Sequence, residues 1–296
     1  MAALPDPKID GLDWTADYDL ATATTMGVGG RADALAVAHS HAAVSQFLRR
    51  ARGEAWRVWI LGGGTNTIFC SERFAGVVLR LGREFARLWT EEGGRLCAGA
   101  AAPLSAVVKR AEREGLGGLE FCMGIPGQVG GALAGNAGQR GWAIGSLVET
   151  VRGLSLEGEP VELRQGEFEH GYRRSALSQI LVCEARFLLK PCDRSAIRLR
   201  MQEFLSSRYE QPVGIRSSGC VFKNPVGDAA GRLIDAAGLK GCAIGGAVVA
   251  REHANFLTNP SGAAKAEEVV ALIQHVRKTV YDRFGVELEL EVRLVD

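Results

Sequence analysis

The chain has 296 residues, 47% of them hydrophobic, with 23% charged residues and a formal net charge of +1. These are globular values for a chain long enough to form two or three lobes. The near-neutral charge predicts no general attraction to nucleic acid or to a membrane surface. No apolar run approaches the roughly 20 residues that span a bilayer, and the first residues lack the apolar region of a signal peptide. We therefore expect a cytoplasmic protein.

Cysteine and histidine positions give no sign of a metal centre. The seven cysteines include no Cys-x-x-Cys pair, which indicates reduced thiols and not a disulfide framework. His39 and His41 could chelate an ion, but they have no acidic or cysteine partner nearby in the sequence. We predict no bound metal.

Hydrophobic periodicity predicts an α+β fold. In chain order it indicates helices over 40–52, 104–114, 193–208, 228–237 and 263–284, with Gly115 and Gly285 as helix stops, and strands over 58–61, 77–79, 148–156, 161–163, 180–189 and 286–295. We expect the 58–61 strand to be buried. Proline and glycine near 191 and 211–214 suggest a lobe boundary. The predicted division is a region 1–192, itself split into two lobes near 70–75, and a domain 193–296.

Two glycine-rich runs, 61–67 and 124–138, are the most informative segments. Glycine lets backbone approach a ligand closely, and successive N–H groups can converge on an anion. Neither run has the spacing of a P-loop or of the Gly-x-Gly-x-x-Gly dinucleotide motif. The pair therefore suggests one large phosphate-bearing ligand, although tight turns of an ordinary α/β protein remain an alternative.

Three further segments carry side chains of the kinds that take part in catalysis or ligand binding. In the predicted last strand, Glu287, Glu289 and Glu291 alternate with apolar residues, which is typical of either a solvated edge strand or a cleft lining. Cys220 stands on a Gly-Cys step before Lys223 and Asn224, and a thiol can serve as a proton donor; an inert core cysteine is the alternative. The Tyr172–Arg174 segment offers guanidinium groups that suit a carboxylate.

The order of these motifs resembles the UDP-N-acetylenolpyruvoylglucosamine reductase (MurB) family over nearly the whole chain. The resemblance rests on the 24–32 and 118–121 segments, both glycine runs, Gly171–Ser175, Gly219–Pro225, the 237–241 and 253–256 segments, and 290–293. It implies noncovalent FAD in a fold of the vanillyl-alcohol oxidase (PCMH) type, formed by 1–192, and substrate binding by 193–296. It also implies NADPH as hydride donor and UDP-N-acetylglucosamine enolpyruvate as the small-molecule substrate. The short distance from Arg173 to Cys220 is similar to the family's short form, which lacks an extra substrate loop.

The resemblance implies a catalytic set of Arg173, Cys220 and Glu291. Serine usually occupies the position of Cys220 in this family. Substrate contacts are implied for Tyr172, Arg208, Lys223 and Asn224. FAD contacts are implied for Gly62, Gly63, Gly64, Thr65, Asn66, Gly124, Ile125, Pro126, Gly127, Gly130, Gly131, Asn136, Ala137 and Gly138.

Two alternatives remain open from the residues. One is another FAD-dependent oxidoreductase or oxidase of the same fold, although many of these attach FAD through His or Cys and no His lies near the glycine runs. The other is a nucleotide-sugar binder without activity, which would not require Arg173, Cys220 and Glu291 together.

Overall fold

The computed structural model describes residues 4–206, 208 and 210–296, which form two compact units. The first unit contains Met1–Ala16, Ala34–Gly63 and Gly76–Arg208. The second contains Asp17–Asp33, Gly64–Ala75 and Tyr209–Asp296.

Secondary structure is mixed in both units, and the α+β prediction is confirmed. Among the described residues the α-helices are α1 (His41–Gly53), α2 (Leu104–Glu114), α3 (Val129–Ala134), α4 (Arg194–Ser206), α5 (Ala230–Ala236) and α6 (Ala266–Phe284). The strands are β1 (Leu12–Asp19), β2 (Arg31–Ala38), β3 (Val58–Ile60), β4 (Thr67–Phe69), β5 (Arg73–Leu81), β6 (Leu88–Glu91), β7 (Arg95–Gly99), β8 (Leu116–Gly117), β9 (Gly138–Gln139), β10 (Trp142–Ala143), β11 (Val148–Leu154), β12 (Pro160–Arg164), β13 (His170–Gly171), β14 (Arg174–Ser175), β15 (Leu181–Leu188), β16 (Lys190–Pro191), β17 (Arg216–Cys220), β18 (Ala243–Ile244), β19 (Ala247–Val249), β20 (Phe256–Asn259) and β21 (Arg293–Val295).

The first unit is built on two sheets, each with its own core. A sheet in the order β1-β2-β5-β3 packs against α1 around Phe47, Val77 and Leu79. A five-stranded antiparallel sheet in the order β12-β11-β15-β7-β6 forms the second core with α2 and α3, around Phe121 and Phe187. Strand β3 lies at the edge of its sheet, which explains why Ile60 is 38% exposed although the sequence predicts a buried strand.

The second unit has a single core. Its antiparallel sheet, in the order β17-β20-β19-β18, packs with α5 and α6. Met26 and Ile68, from the two earlier segments of the chain, are fully buried in the same core. Strand β21 pairs in parallel with β4, which joins the end of the chain to the residues that follow the first glycine run.

The prediction of a strand over 286–295 is wrong for most of its length. Only Arg293–Val295 forms a strand; Leu290 makes an isolated antiparallel bridge with Phe222. The segment thus pairs first with the residues after β17 and then with β4, and a bend at Val292 separates the two pairings. Alternating hydrophobicity fits one continuous strand and also a segment with two successive partners, because in each case one side of the segment is covered.

The division into units differs from the predicted boundary at 192/193. Helix α4 belongs to the first unit, where Arg200 Nη2 lies 2.6 Å from Glu120 Oε1 and Arg198 Nε lies 2.7 Å from Glu112 Oε1. Ile197 of the same helix is 1% exposed. The sequence marks the loop before this helix but gives no sign of the ion pairs that attach the helix to the preceding residues.

Among the described residues, no helix is both long and apolar enough to cross a membrane.

Helix stops in the sequence are confirmed at Gly115 and Gly285, and the second of these allows a stability test. Gly285 has φ +68°. Gly53, the last residue of α1, has no left-handed backbone, and a Cβ there would meet no atom within 4 Å. We expect Gly285→Ala to lower the free energy of unfolding by about 1 kcal/mol, because L-residues are strained in this conformation. Gly53→Ala should raise it by about 0.5 kcal/mol through helix propensity. Urea unfolding of both variants measures the difference, and equal stability of the two would contradict it.

Candidate active site

The first glycine run forms a tight loop directly after β3. A Cβ at Gly64, which has φ +66°, would lie 2.1 Å from the carbonyl oxygen of Ala23, so only glycine fits there. Within the part of the chain that the structure describes, the N–H groups of Gly62, Gly63 and Thr65 donate no hydrogen bond. Backbone donors left unused in a glycine loop are available to an anion.

The second glycine run is anchored to residues 100–104 and contains a short helix, α3, that the sequence does not predict. Gly130 N donates to Ala100 O at 2.9 Å, Val129 N to Ala102 O at 3.0 Å, and Leu104 N to Gly127 O at 3.0 Å. Gly131 faces outward: it is exposed, and a Cβ there would meet no atom within 4 Å. The run therefore has one side fixed to the protein and one side open.

The two runs approach each other within the first unit. A Cβ at Gly62 would lie 3.3 Å from Oε1 of Gln128, in the middle of the second run. This contact gives a geometric basis to the prediction that both runs serve one ligand. At the start of the second run, Ile125 packs on the core while Pro126 is exposed.

Arg208 lies at the beginning of the second run. A Cβ at Gly124 would be 2.7 Å from Cδ of Arg208, so the arginine stem runs along this glycine. Burial raises the pKa of the nearby Cys122 thiol far above its ordinary range, and the positive charge of Arg208 acts in the opposite direction. A cation is thus held next to the glycine backbone, in the first unit.

Asn136, near the end of the second run, uses its side chain inside the protein. It is 4% exposed and has φ +44°. Its Nδ2 donates to the carbonyl of Gly171 at 2.8 Å, and its Oδ1 accepts from the N–H of Gly145 at 3.0 Å. Ala137 is similarly engaged by backbone, since its carbonyl accepts from Ile144 N at 2.9 Å. The side chain of Asn136 therefore clamps the segment that leads to Tyr172.

Arg173 is held in place by the end of the same run. Its Nη1 donates to the carbonyl of Gly138 at 2.9 Å, and its guanidinium carbon lies 5.5 Å from the centre of the Tyr172 ring. The backbone at Arg173 has φ +53°, an uncommon conformation for a residue with a side chain. Arg174, by contrast, is exposed. This local geometry orients one arginine of the pair and leaves the other in solvent.

Cys220 is the last residue of β17, at an irregularity in the pairing with β20. The residues after it are clamped by Asn255, which is 2% exposed: Asn255 O accepts from Val221 N at 2.9 Å, and Asn255 Nδ2 donates to Phe222 O at 2.8 Å. The thiol is half-buried. Three other cysteines are buried, and burial raises the pKa of Cys97 to about 11 and of Cys183 to about 12.

Glu291 lies on the chain segment beside Cys220. Its N–H donates to the carbonyl of Val221, the residue after Cys220, at 2.8 Å. Its carbonyl accepts from Nδ2 of Asn66 at 3.1 Å. The structure thus brings Asn66, Glu291 and the Cys220–Val221 step together within the second unit.

Lys223 and Asn224 follow Cys220 and already have protein contacts. Lys223 Nζ lies 3.1 Å from Glu289 Oε2, and Lys223 N donates to Glu289 O at 2.8 Å. Asn224 Oδ1 accepts from Ala230 N at 3.0 Å at the start of α5. The alternating glutamates therefore have different surroundings: Glu289 pairs with Lys223, Glu287 pairs with Arg277 at 3.2 Å, and Glu291 is the half-buried one.

Comparison with known proteins covers both units. Residues 32–157 match a family model described as FAD binding domain, and residues 211–295 match one described as the UDP-N-acetylenolpyruvoylglucosamine reductase C-terminal domain. The chain is 41% identical to UDP-N-acetylenolpyruvoylglucosamine reductase 2 of Symbiobacterium thermophilum, over 92% of this chain and 88% of that protein. It is 38% identical to the reductase of Geobacillus kaustophilus, over 94% and 92%.

A solved structure is also similar along the whole chain. The UDP-N-acetylenolpyruvylglucosamine reductase (MurB) of Thermus caldophilus superposes with a TM-score of 0.82 and 35% identity, covering 96% of this chain and 99% of that one.

The open side of Gly131 gives a test of where FAD binds. If FAD occupies this space, Gly131→Leu should weaken FAD binding by at least about tenfold, equivalent to about 1.4 kcal/mol. The unfolding midpoint of the apoprotein should not fall, since leucine favours helix more than glycine does. Titration of apoprotein with FAD measures the affinity. Gly53→Leu is the control in the same unit, at a glycine with equally open space. Unchanged FAD affinity in Gly131→Leu would remove this face from the FAD site.

Proposed function

We propose residue roles for this chain from the premise that it belongs to the UDP-N-acetylenolpyruvoylglucosamine reductase family. The protein is an FAD-containing oxidoreductase that uses NADPH to reduce UDP-N-acetylglucosamine enolpyruvate to UDP-N-acetylmuramate, a step in the synthesis of peptidoglycan precursors. The observation that carries the proposed roles is the hydrogen bond between Glu291 N and Val221 O, because it places a carboxyl residue beside the chain step that contains Cys220.

The residues of the two glycine runs fit FAD. The unused N–H groups of Gly62, Gly63 and Thr65 suit a pyrophosphate without added cations, and the open side of Gly131 leaves room for a ligand. We propose that both runs hold FAD noncovalently. The side-chain amide of Asn136 supports the second run through its bonds with Gly171 O and Gly145 N. FAD held by these runs would supply the redox chemistry that links NADPH to the methylene carbon of the substrate.

Arg173 and Glu291 act on the enolpyruvyl carboxylate. As the hydride adds to the methylene carbon, the electron pair of the carbon–carbon double bond moves towards the carboxylate, which gains negative charge. The guanidinium of Arg173 stabilises that charge, and its bond to Gly138 O orients it in advance. Glu291 polarises the same group, and it must be protonated or tightly paired to avoid repelling it.

Cys220 supplies the proton that completes the reaction. The Sγ–H bond breaks as the proton moves to the carbon that bears the ether oxygen, and the resulting thiolate regains a proton from solvent. A thiol can replace the family's usual serine here because it is the stronger acid.

Four residues are proposed to bind the rest of the substrate. Arg208 suits the diphosphate because its cation is held against Gly124. Tyr172 is 58% exposed beside Arg173. Lys223 and Asn224 carry an ammonium and an amide, groups that can donate hydrogen bonds to the oxygens of a nucleotide sugar.

We also propose the domain roles and the location of the protein. Residues up to 192 carry the FAD-binding function, and residues from 193 carry most substrate contacts. A cytoplasmic location agrees with the use of NADPH and a nucleotide sugar.

Substitution of Glu291 separates the two halves of the reaction. Glu291→Gln should leave flavin reduction by NADPH near the wild-type rate, because the residue acts on the substrate carboxylate. Flavin reoxidation by the enolpyruvyl sugar should slow by about 1,000-fold. Anaerobic stopped-flow absorbance measures both rates. Glu287→Gln is the matched control, since Glu287 is 77% exposed and pairs with Arg277. Equal slowing of both steps would indicate damaged folding or FAD binding and would contradict the assigned role.

Substitution of Cys220 tests proton donation through pH. A peptide thiol ionises near pH 8.5, whereas serine stays protonated throughout the working range. Raising the pH removes the proton from a thiol donor, so the wild-type rate of flavin reoxidation should fall at alkaline pH. Cys220→Ser should retain substantial activity and lose this alkaline decrease. Cys220→Ala should protonate the product very slowly; turnover at the wild-type rate in Cys220→Ala would show that another group donates the proton.

A further inference from the structure

The first glycine run is connected by hydrogen bonds to both chain segments that carry the proposed catalytic residues of the second unit. On one side the connection runs through Thr25. Thr25 N donates to Gly64 O at 3.0 Å, and Thr25 Oγ1 donates to Ser217 O at 2.6 Å. Ser217 lies on β17, three residues before Cys220. Thr25 therefore joins the glycine loop to the strand that ends at the thiol.

On the other side the connection runs through Asn66. Its Nδ2 donates to Glu291 O at 3.1 Å, and its own carbonyl accepts from Arg293 N at 3.0 Å. Glu291 N in turn donates to Val221 O at 2.8 Å. Val221 O thus accepts from the peptide groups on both sides of the Glu291 Cα, the second through Val292 N at 3.3 Å, and Asn66 adds the shorter bond to the Glu291 carbonyl.

We propose that Asn66 and Thr25 are positioning residues for the reduction of the substrate. Asn66 sets the place of Glu291, and Thr25 sets the place of β17 with Cys220, both relative to the glycine loop. The inference rests on the role proposed for Glu291. It assigns the Asn66 side chain to Glu291 instead of to FAD, while the backbone of the loop keeps its donors for the cofactor.

The physical reason is that the position of the Glu291 backbone determines where its carboxyl can lie. The glutamate carboxyl is joined to its Cα by three rotatable bonds and reaches only a limited region, so a shift of the Cα shifts the region open to the carboxyl. A displacement of about 1 Å at a reacting group can cost about 100-fold in rate. Loss of the side-chain hydrogen bond to the Glu291 carbonyl leaves that peptide group with only the longer bond from Val292 N to Val221 O, at 3.3 Å, while the β4–β21 pairing beyond it remains.

The first test is Asn66→Ala, with three readouts. FAD affinity of the apoprotein should stay within about threefold of wild type. Flavin reduction by NADPH should keep its rate, and flavin reoxidation by the enolpyruvyl sugar should slow by about 10- to 100-fold. A large loss of FAD affinity would overturn the inference and return the side chain to the cofactor site. Equal slowing of both half-reactions would also overturn the inference, because it would indicate a general structural defect.

The second test combines Asn66→Ala with Glu291→Gln. If Asn66 acts through Glu291, the double variant should be little slower than Glu291→Gln alone, because the group to be positioned is already lost. If the loss of reoxidation rate in the double variant equals the product of the losses in the two single variants, the inference is overturned. Wild-type activity in Glu291→Gln would instead refute the proposed function of that residue, and wild-type reoxidation in Asn66→Ala together with a slow Glu291→Gln would refute the positioning role alone.

The Thr25 side is tested by shape-conserving variants. Thr25→Val removes the hydroxyl that reaches Ser217 O and should slow reoxidation, whereas Thr25→Ser keeps the hydroxyl and should restore most of the rate. Thr279→Val is the matched control in the same unit, because Thr279 Oγ1 donates to His275 O at 2.9 Å within α6. Equal rates in Thr25→Val and Thr25→Ser would overturn the role of Thr25.

Discussion

The second unit depends on the close backbone contact between Gly64 and the Ala23–Thr25 segment. No residue with a Cβ fits at Gly64 without displacing the Ala23 carbonyl. The contact lets Gly64 O accept from Thr25 N, and the same threonine reaches Ser217 on β17. A segment from early in the chain thereby becomes part of the support for Cys220, which the order of residues alone does not suggest.

Each glycine run contains an asparagine near its end, and the two asparagines make comparable contacts. In the second unit, Asn66 donates its amide to the carbonyl of Glu291. In the first unit, Asn136 donates its amide to the carbonyl of Gly171, two residues before Arg173, and Gly138 O accepts from Arg173 itself. The glycines leave backbone donors unused, while the asparagines hold the segments that carry the proposed catalytic residues. In our proposal, cofactor binding and catalytic geometry are thus built from the same short stretches of chain.

The sequence predicts local secondary structure well, but it predicts poorly the hydrogen bonds between residues that are distant in the chain. Helix ends at Gly115 and Gly285 are readable because a left-handed stop favours glycine. Helix α3 is missed because glycine disfavours helix, and the bonds of Gly130 and Val129 to residues 100–102 stabilise it only in the folded chain. The alternation of apolar and charged residues over 286–295 suggests one continuous strand. It does not show that the segment changes its pairing partner near Val292. The 253–256 segment is recognisable as a motif, but the sequence does not show that Asn255 binds the residues after Cys220, because that contact is distant in the chain.

The most direct test of the account is the stoichiometry of turnover by the purified holoenzyme. NADPH oxidation is followed in the absence and presence of UDP-N-acetylglucosamine enolpyruvate without oxygen, and the product is identified by mass. We expect NADPH to be consumed only in the presence of the enolpyruvyl sugar, with one UDP-N-acetylmuramate formed for each NADPH. Holoenzyme that is reduced by NADPH but forms no UDP-N-acetylmuramate would contradict it.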